Sequence, residues 1–183
     1  DWIAENCLSK ICTQLKTEQP DVLRICAANM MGDKPVRRFS QKGQKPMTGI
    51  ERMKKRMSPC APFSIAKREL LNKYGLRFFE GIYHEDSEFT PRLYYYAQKV
   101  SFTDDIIYFV YQNSDSITRT PNPKRAFDTI GIVCPNLHEF SKDLSVEHKQ
   151  IFSNRISSYI NTALSYCVYY PKEQIKAINR LCY

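Results

Sequence analysis

The apolar residues of this chain change period along its length, and that change decides its fold class. Near the start Ile3, Cys7, Ile11 and Leu15 recur every fourth position, with Leu8 and Cys12 widening the stripe. This predicts a helix over 2–16, stopped by Pro20. Residues 21–31 lose that period and carry Val22, Leu23, Ile25 and Cys26, a strand-like run. A basic loop follows over 32–45, with a short strand at 36–39. Thr48 and Glu51 then form a capping box, and Ile50, Met53 and Met57 give the helix behind it an inner face. Pro59 and Pro62 bracket an irregular stretch before a helix over 66–74 that Gly75 closes. Two β-rich runs, 99–103 and 106–111, flank a hairpin or tight turn at Asp104-Asp105. Helices are expected over 124–142, 146–168 and 171–182. In the long one Phe152, Ile156, Ile160, Leu164 and Val168 keep spacing four, and Ser145 caps its start. The expectation is an α+β fold of short strands and several helices with a helical C-terminal tail. No strand, glycine-rich loop and helix follow one another, so no nucleotide-binding half is expected within this chain.

Composition narrows the function classes. The chain has 183 residues, 43% hydrophobic and 25% charged, enough for a core without disulfides or metal staples. The seven cysteines lack a C-x-x-C pair and mostly have apolar neighbours, so buried reduced thiols are expected. With three histidines and no ligand spacing, a zinc site is not expected, and His138 and His148 read as ordinary helix residues. No signal peptide or transmembrane run is present. The opening Asp1-Trp2-Ile3, without Met, reads as part of a longer protein. Net charge is +8, and residues 33–56 hold nine Lys or Arg against two acids. Such a block suits phosphates, anionic lipid or nucleic acid, or is simply a solvated face. Twelve tyrosines offer apolar bodies with polar tips. The Tyr94–Tyr96 run reads as half-buried helix surface.

His84-Glu85-Asp86 is the one cluster placed for chemistry. It follows Gly81, which permits unusual backbone angles, and precedes a helix predicted to open at Thr90-Pro91. A carboxylate at a loop-to-helix junction is held by the helix yet faces outward. Adjacent acids repel, which raises one pKa. Acids near a helix start are also favoured by the dipole alone, so local reasoning leaves both readings open.

The string Phe79-Glu80-Gly81-Ile82-Tyr83-His84-Glu85-Asp86-Ser87-Glu88-Phe89 resembles the acceptor-side motif of family 2 glycosyltransferases, F-x-E-G-x-x-x-E-D-x-x-F. Asp1-Trp2-Ile3 resembles the tail of the family's D-x-D-D-W-I string. Val100–Asp105, Tyr108-Phe109-Val110-Tyr111-Gln112 and Ser116-Ile117 resemble its strand pair and Y-x-x-x-Q-x-x-x-S-I loop. The match runs from residue 1 to about 120. It implies that 1–120 is the C-terminal, acceptor-side half of a GT-A catalytic domain and 121–183 a helical extension.

The resemblance implies inverting transfer from a nucleoside-diphosphate sugar to a glycan or lipid-linked acceptor, in bacterial surface polysaccharide synthesis. Asp86 would be the general base, Glu85 its catalytic neighbour, and His84, Tyr111, Gln112 and Ser116 substrate contacts. A divalent cation, Mn or Mg, would take its ligands mostly upstream of this chain, and a role for Asp1 is left open. The fragment alone is expected to be inactive. The setting expected is cytoplasmic and peripheral at the inner membrane, on an anionic surface, with no nucleic acid. The alternative is a basic nucleic-acid-binding or protein-interaction module. Against the first, Phe39 is the one aromatic within the basic block.

Overall fold

The longest apolar run of the first half, Val22–Met31, becomes strand β2, and the sheet is organised around it. From Val22 to Ala28 every residue is buried, so both faces of β2 are covered. The structure is a computed structural model and describes residues 1–55, 58–112 and 122–181. Besides β2 the sheet contains β1 (Trp2–Ile3), β3 (Lys34–Phe39), β4 (Ser64–Ala66) and β5 (Val100–Tyr111). The order is β1-β5-β2-β3, with β4 pairing the start of β2. β2 runs parallel to β5 and antiparallel to β3 and β4. The helices are α1 (Cys7–Glu18), α2 (Gly49–Lys54), α3 (Arg68–Lys73), α4 (Glu85–Tyr96), α5 (Lys124–Asp128), α6 (Cys134–Ser141), α7 (Val146–Ser165) and α8 (Lys172–Arg180). The mixed α/β fold with short strands and a helical C-terminal tail is as expected.

The chain forms two compact units, Asp1–Leu76 with Leu93–Ser116, and Arg77–Arg92 with Ile117–Tyr183. The first unit holds the sheet. Leu23, Ile25 and Ala27 of β2 pack with Cys7 and Ile11 of α1, Phe63 and Ile107. The expected helix over 2–16 is corrected here. Trp2 and Ile3 pair with Phe109 and Tyr108 as a sheet edge, and Trp2 stacks on Phe109 at 5.3 Å. Asn6, in the left-handed region at φ 53°, then opens α1, and Gln19 at φ 48° closes it just before Pro20. The helix expected over 66–74 is shorter, because 64–66 is drawn into the sheet as β4. The Thr48–Glu51 capping box is present in full. Gly49 admits no side chain, since a Cβ there would lie 1.7 Å from the Tyr94 carbonyl oxygen. Tyr94 itself is fully buried, deeper than the half-buried helix surface expected for 94–96.

The hairpin or tight turn expected at Asp104-Asp105 is corrected to a bulge inside one continuous strand, β5. Arg24 pairs with Phe102 and Cys26 with Ile106, so Thr103, Asp104 and Asp105 stand opposite Ile25. The Cys26 N–H donates to the Thr103 hydroxyl at 2.9 Å. The Asp104 carboxylate accepts from the Gly43 N–H at 3.1 Å, and Asp105 pairs with Lys10 at 2.9 Å. Two acids that read as a turn therefore tie a loop and a helix to the sheet. The basic block is largely solvated: Lys34, Arg37, Arg38, Lys42, Lys45, Lys54 and Lys55 are exposed, while Arg52 is buried. β3 lies at the sheet edge, where such charges discourage pairing with another chain.

The second unit is helical. Ala126, Ile130, Ala163, Cys167, Tyr170 and Ile178 form its packed cluster. The helix expected over 124–142 is present as α5 and α6 joined by a π turn, Thr129–Val133. Pro135, second in α6, lacks an N–H and would clash with the carbonyl four residues back, which the wider turn relieves. Ser145 caps α7 by accepting from the His148 N–H. Cys7, Cys26, Cys134 and Cys167 are buried and unbridged, whereas Cys12 is exposed. Among the described residues no helix is long and apolar enough to cross a membrane.

Candidate active site

The site is built on the start of α4, and that start is earlier than expected. α4 begins at Glu85 instead of Thr90, and Pro91 lies inside it. Three acids in its first turn, Glu85, Asp86 and Glu88, meet the positive end of the helix dipole, which favours an early start. Pro91 is tolerated at the cost of one helical hydrogen bond, the one its missing N–H would give to the Ser87 carbonyl. The His84 carbonyl accepts from the Ser87 and Glu88 N–H groups at 2.9 and 3.2 Å and so closes the first turn. His84 has φ +65°, and Gly81 has φ +77°. The histidine's left-handed backbone costs about 1–2 kcal/mol relative to glycine.

Residues the sequence did not single out hold this loop in place. Asp128 of α5 is buried, and its carboxylate accepts from the Tyr83 N–H at 2.7 Å. Lys124, one turn earlier, pairs with the same oxygen at 2.5 Å and donates to the Gly81 carbonyl at 3.1 Å. Asn122 donates to the Tyr83 hydroxyl at 3.1 Å. Deeper in α4, Arg92 pairs with buried Glu88 at 2.5 Å and donates to the Arg77 carbonyl at 2.9 Å. The only sequence signal for this clamp was the Lys124–Asp128 spacing of four on a helix, a common surface pattern.

The three motif residues have different environments. Glu85 is exposed, and Asp86 is half-buried. Burial, and then the charge of Glu85, push the Asp86 carboxyl up from 3.8 to about 6, against opposing hydrogen bonds from Ser87 and the helix start. The Ser87 hydroxyl stands 3.5 Å from the Asp86 carboxylate. Burial, and then the Arg125 charge, hold the His84 imidazole below its ordinary pKa. It is accordingly neutral at pH 7, and its Nε2 accepts from Arg125 Nε at 3.4 Å. A carboxylate whose pKa lies near neutrality can take a proton from a hydroxyl and hold it, which general-base work requires.

The other expected contacts belong to the sheet unit. Tyr111 ends β5 and is exposed, and its N–H donates to the Asp1 carboxylate at 2.9 Å. The Tyr108 hydroxyl donates to the other Asp1 oxygen at 3.0 Å. The Gln112 N–H donates to the Met30 carbonyl at 2.9 Å, extending the sheet by one bond. Ser116 lies outside the described residues. Among the described residues no group of three His, Cys, Asp or Glu side chains converges. Each Asp1 carboxylate oxygen accepts one hydrogen bond, from the Tyr108 hydroxyl and from the Tyr111 N–H.

No protein-family model matches the chain, and no curated protein matches it. Solved structures do. TarS 1–349 from S. aureus, crystallised with UDP-GlcNAc, superposes with a TM-score of 0.71 at 19% identity, over 98% of this chain and 52% of that one. The same protein with UDP gives a TM-score of 0.62 at 16% identity, over 94% and 48%. A third TarS 1–349 structure gives 0.59 at 22% identity, over 88% and 46%. This chain thus spans about half the length of the TarS structures it matches, and what it shares with that half is the fold.

Proposed function

We propose that this chain is the acceptor-side part of an inverting glycosyltransferase of family 2, with the GT-A fold. It would transfer a sugar from a nucleoside-diphosphate donor to a glycan or lipid-linked acceptor. The observation that carries this reading is Asp86: a half-buried carboxyl raised to about 6, on the first turn of a helix, within a motif of the right order and spacing. The likeness in fold to a protein that binds UDP-GlcNAc supports a nucleotide-sugar donor.

In this reading an Asp86 oxygen accepts the proton of the acceptor hydroxyl as that oxygen bonds to the anomeric carbon. The bond from that carbon to the diphosphate breaks on the opposite face, and its electron pair leaves with the diphosphate, so configuration inverts. Glu85 keeps the Asp86 proton affinity high, and His84, neutral, contacts the acceptor sugars. Tyr111, Gln112 and Ser116 are proposed as acceptor or diphosphate contacts. A Mn or Mg ion balancing the diphosphate would draw its ligands mostly from upstream of this chain, with a role for Asp1 left open, and no step here depends on it. The setting proposed is the cytoplasmic face of a bacterial inner membrane, in surface polysaccharide synthesis, with the exposed basic residues of 34–55 toward anionic lipid.

The test is turnover by the full-length enzyme. Asp86→Asn should retain donor binding and lose about 10²–10⁴-fold in kcat. Turnover near wild type would remove Asp86 from the mechanism. The fragment alone should neither transfer nor hydrolyse a nucleotide sugar.

A further inference from the structure

Helix α5 grips the loop ahead of α4 at three points. Lys124 donates to the Gly81 carbonyl, Asp128 accepts from the Tyr83 N–H, and Arg125 Nε donates to His84 Nε2 at 3.4 Å. The first two hold the backbone. The third acts on a side chain, and the reading above gives it no role. The Arg125 guanidinium also lies over the Tyr166 ring, 5.9 Å from its centroid, which limits where it can swing. His84 is itself a costly placement, at φ +65°. A residue other than glycine keeps such a backbone only where its surroundings hold it there.

The third contact fixes a tautomer. A guanidinium has donors and no acceptor, so the His84 nitrogen facing it must offer a lone pair. A neutral imidazole carries one proton, which therefore sits on Nδ1. The same contact resists the imidazolium, which would set N–H against N–H and one positive charge against another. Burial and the Arg125 charge oppose protonation, the Glu85 and Asp128 carboxylates favour it, and the first two prevail. In this form His84 has no free lone pair, because Nε2 is engaged and Nδ1 holds the proton. It can donate one hydrogen bond, and it cannot take a proton without giving up Arg125. Among the described residues Nδ1 has no hydrogen-bond partner, which leaves that N–H for substrate.

We propose that Arg125 is a positioning residue that fixes His84 as a hydrogen-bond donor through Nδ1, leaving Asp86 alone to take the proton of the acceptor hydroxyl. The proposal rests on the reading of Asp86 as the base and deepens it. An imidazole two residues from a carboxylate is ordinarily the better general base at neutral pH, and Arg125 removes it from that competition. What remains to His84 is to orient the acceptor by donating to one of its oxygens.

The experiment records long-range proton–nitrogen NMR spectra of the nitrogen-15-labelled full-length protein at neutral pH, which report the tautomer of each histidine. His84→Gln assigns the His84 signals by their loss. The wild type should show a protonated Nδ1 and a bare Nε2. Two variants separate donation from charge. Arg125→Gln places an amide N–H where the arginine Nε–H stood and should keep the tautomer without the charge. Arg125→Met places a methyl there and should return His84 to the Nε2–H form that free imidazoles favour. Arg125→Met should also raise the acceptor KM about five-fold with kcat little changed, the loss of one well-aimed neutral hydrogen bond, while Arg125→Gln stays near wild type. If the Met variant fails to fold, the wild-type and Gln spectra still decide the matter. An Nε2–H tautomer in the wild type, a tautomer unmoved by Arg125→Met, or a Gln variant that behaves like Met overturns the proposal. An Nε2–H tautomer with Asp86→Asn inactive sinks this proposal alone. An Nδ1–H tautomer with Asp86→Asn active sinks the reading of the base.

Discussion

Replacing Asp86 by Asn should make the protein more stable at neutral pH while removing its activity. The folded state holds this carboxyl at about 6 against an ordinary 3.8. Between those values the folded state binds more protons than the unfolded chain, so stability falls as pH rises through the interval. Above about pH 6 the full cost of a half-buried carboxylate is present, about 3 kcal/mol at most. Asn carries no charge at any pH and avoids that cost. For a chain of this size 1 kcal/mol moves Tm by about 2–4 °C, so Asp86→Asn should raise Tm by up to about 10 °C at pH 7.5. The gain should shrink as pH falls through about 6 and disappear only below the unfolded value of 3.8, where the carboxyl is protonated in both states. Thermal unfolding of the two proteins from pH 4 to 8 measures the difference directly. The neighbouring His84 titrates in both and cancels to first order. An Asn variant less stable at pH 7.5, or a Tm difference that does not change with pH, would mean that the helix start and Ser87 stabilise the carboxylate more than burial opposes it. The account of Asp86 as a tuned base would then fail.

Other outcomes follow from single contacts. Asp128→Ala leaves the Tyr83 N–H and Lys124 without their shared partner, and should cost about 1–3 kcal/mol in denaturant unfolding. The same change should lower turnover, because it loosens the loop that carries His84. Gly49→Ala should destabilise by about 3 kcal/mol or more, since the added methyl would lie 1.7 Å from the Tyr94 carbonyl oxygen. Circular dichroism melts would show it, and a near-neutral result would mean α2 can shift freely. Co-sedimentation with vesicles containing anionic lipid should fall with added salt, and should fall further when Lys34, Arg37 and Arg38 become Glu. Equal pelleting with neutral vesicles would remove the membrane role.

The sequence was most legible where one local rule decides the structure. Thr48 and Glu51 predicted a capping box, and both of its hydrogen bonds are present. The start of α7 and its cap at Ser145 follow from spacing and side-chain chemistry, though the helix expected to 168 ends at Ser165 and gives way to a 3-10 turn. It was least legible where a distant partner overrides the local rule. Ile3 fits a helical stripe, yet pairing with Tyr108 draws it into a strand. Asp104-Asp105 reads as a turn because acids break strands, yet here Gly43 and Lys10 engage both. Thr90-Pro91 is a strong start signal, but three acids upstream let α4 begin a turn earlier and carry the proline inside.

The candidate site shows the same division. The motif drew attention to Asp86, but its proton affinity was not readable from the motif. The helix dipole alone would lower that affinity, because a negative charge at N2 faces the positive helix end. Burial acts in the opposite direction and is larger, and burial depends on what packs over the first turn. In this chain Tyr159 of α7, far along the sequence and outside any motif, lies near enough to interact electrostatically with Asp86. The motif supplies the carboxylate, and burial from outside the motif raises its proton affinity. Trimming the C-terminal helices should return Asp86 toward an ordinary carboxylic acid and weaken it as a base, even with every motif residue intact.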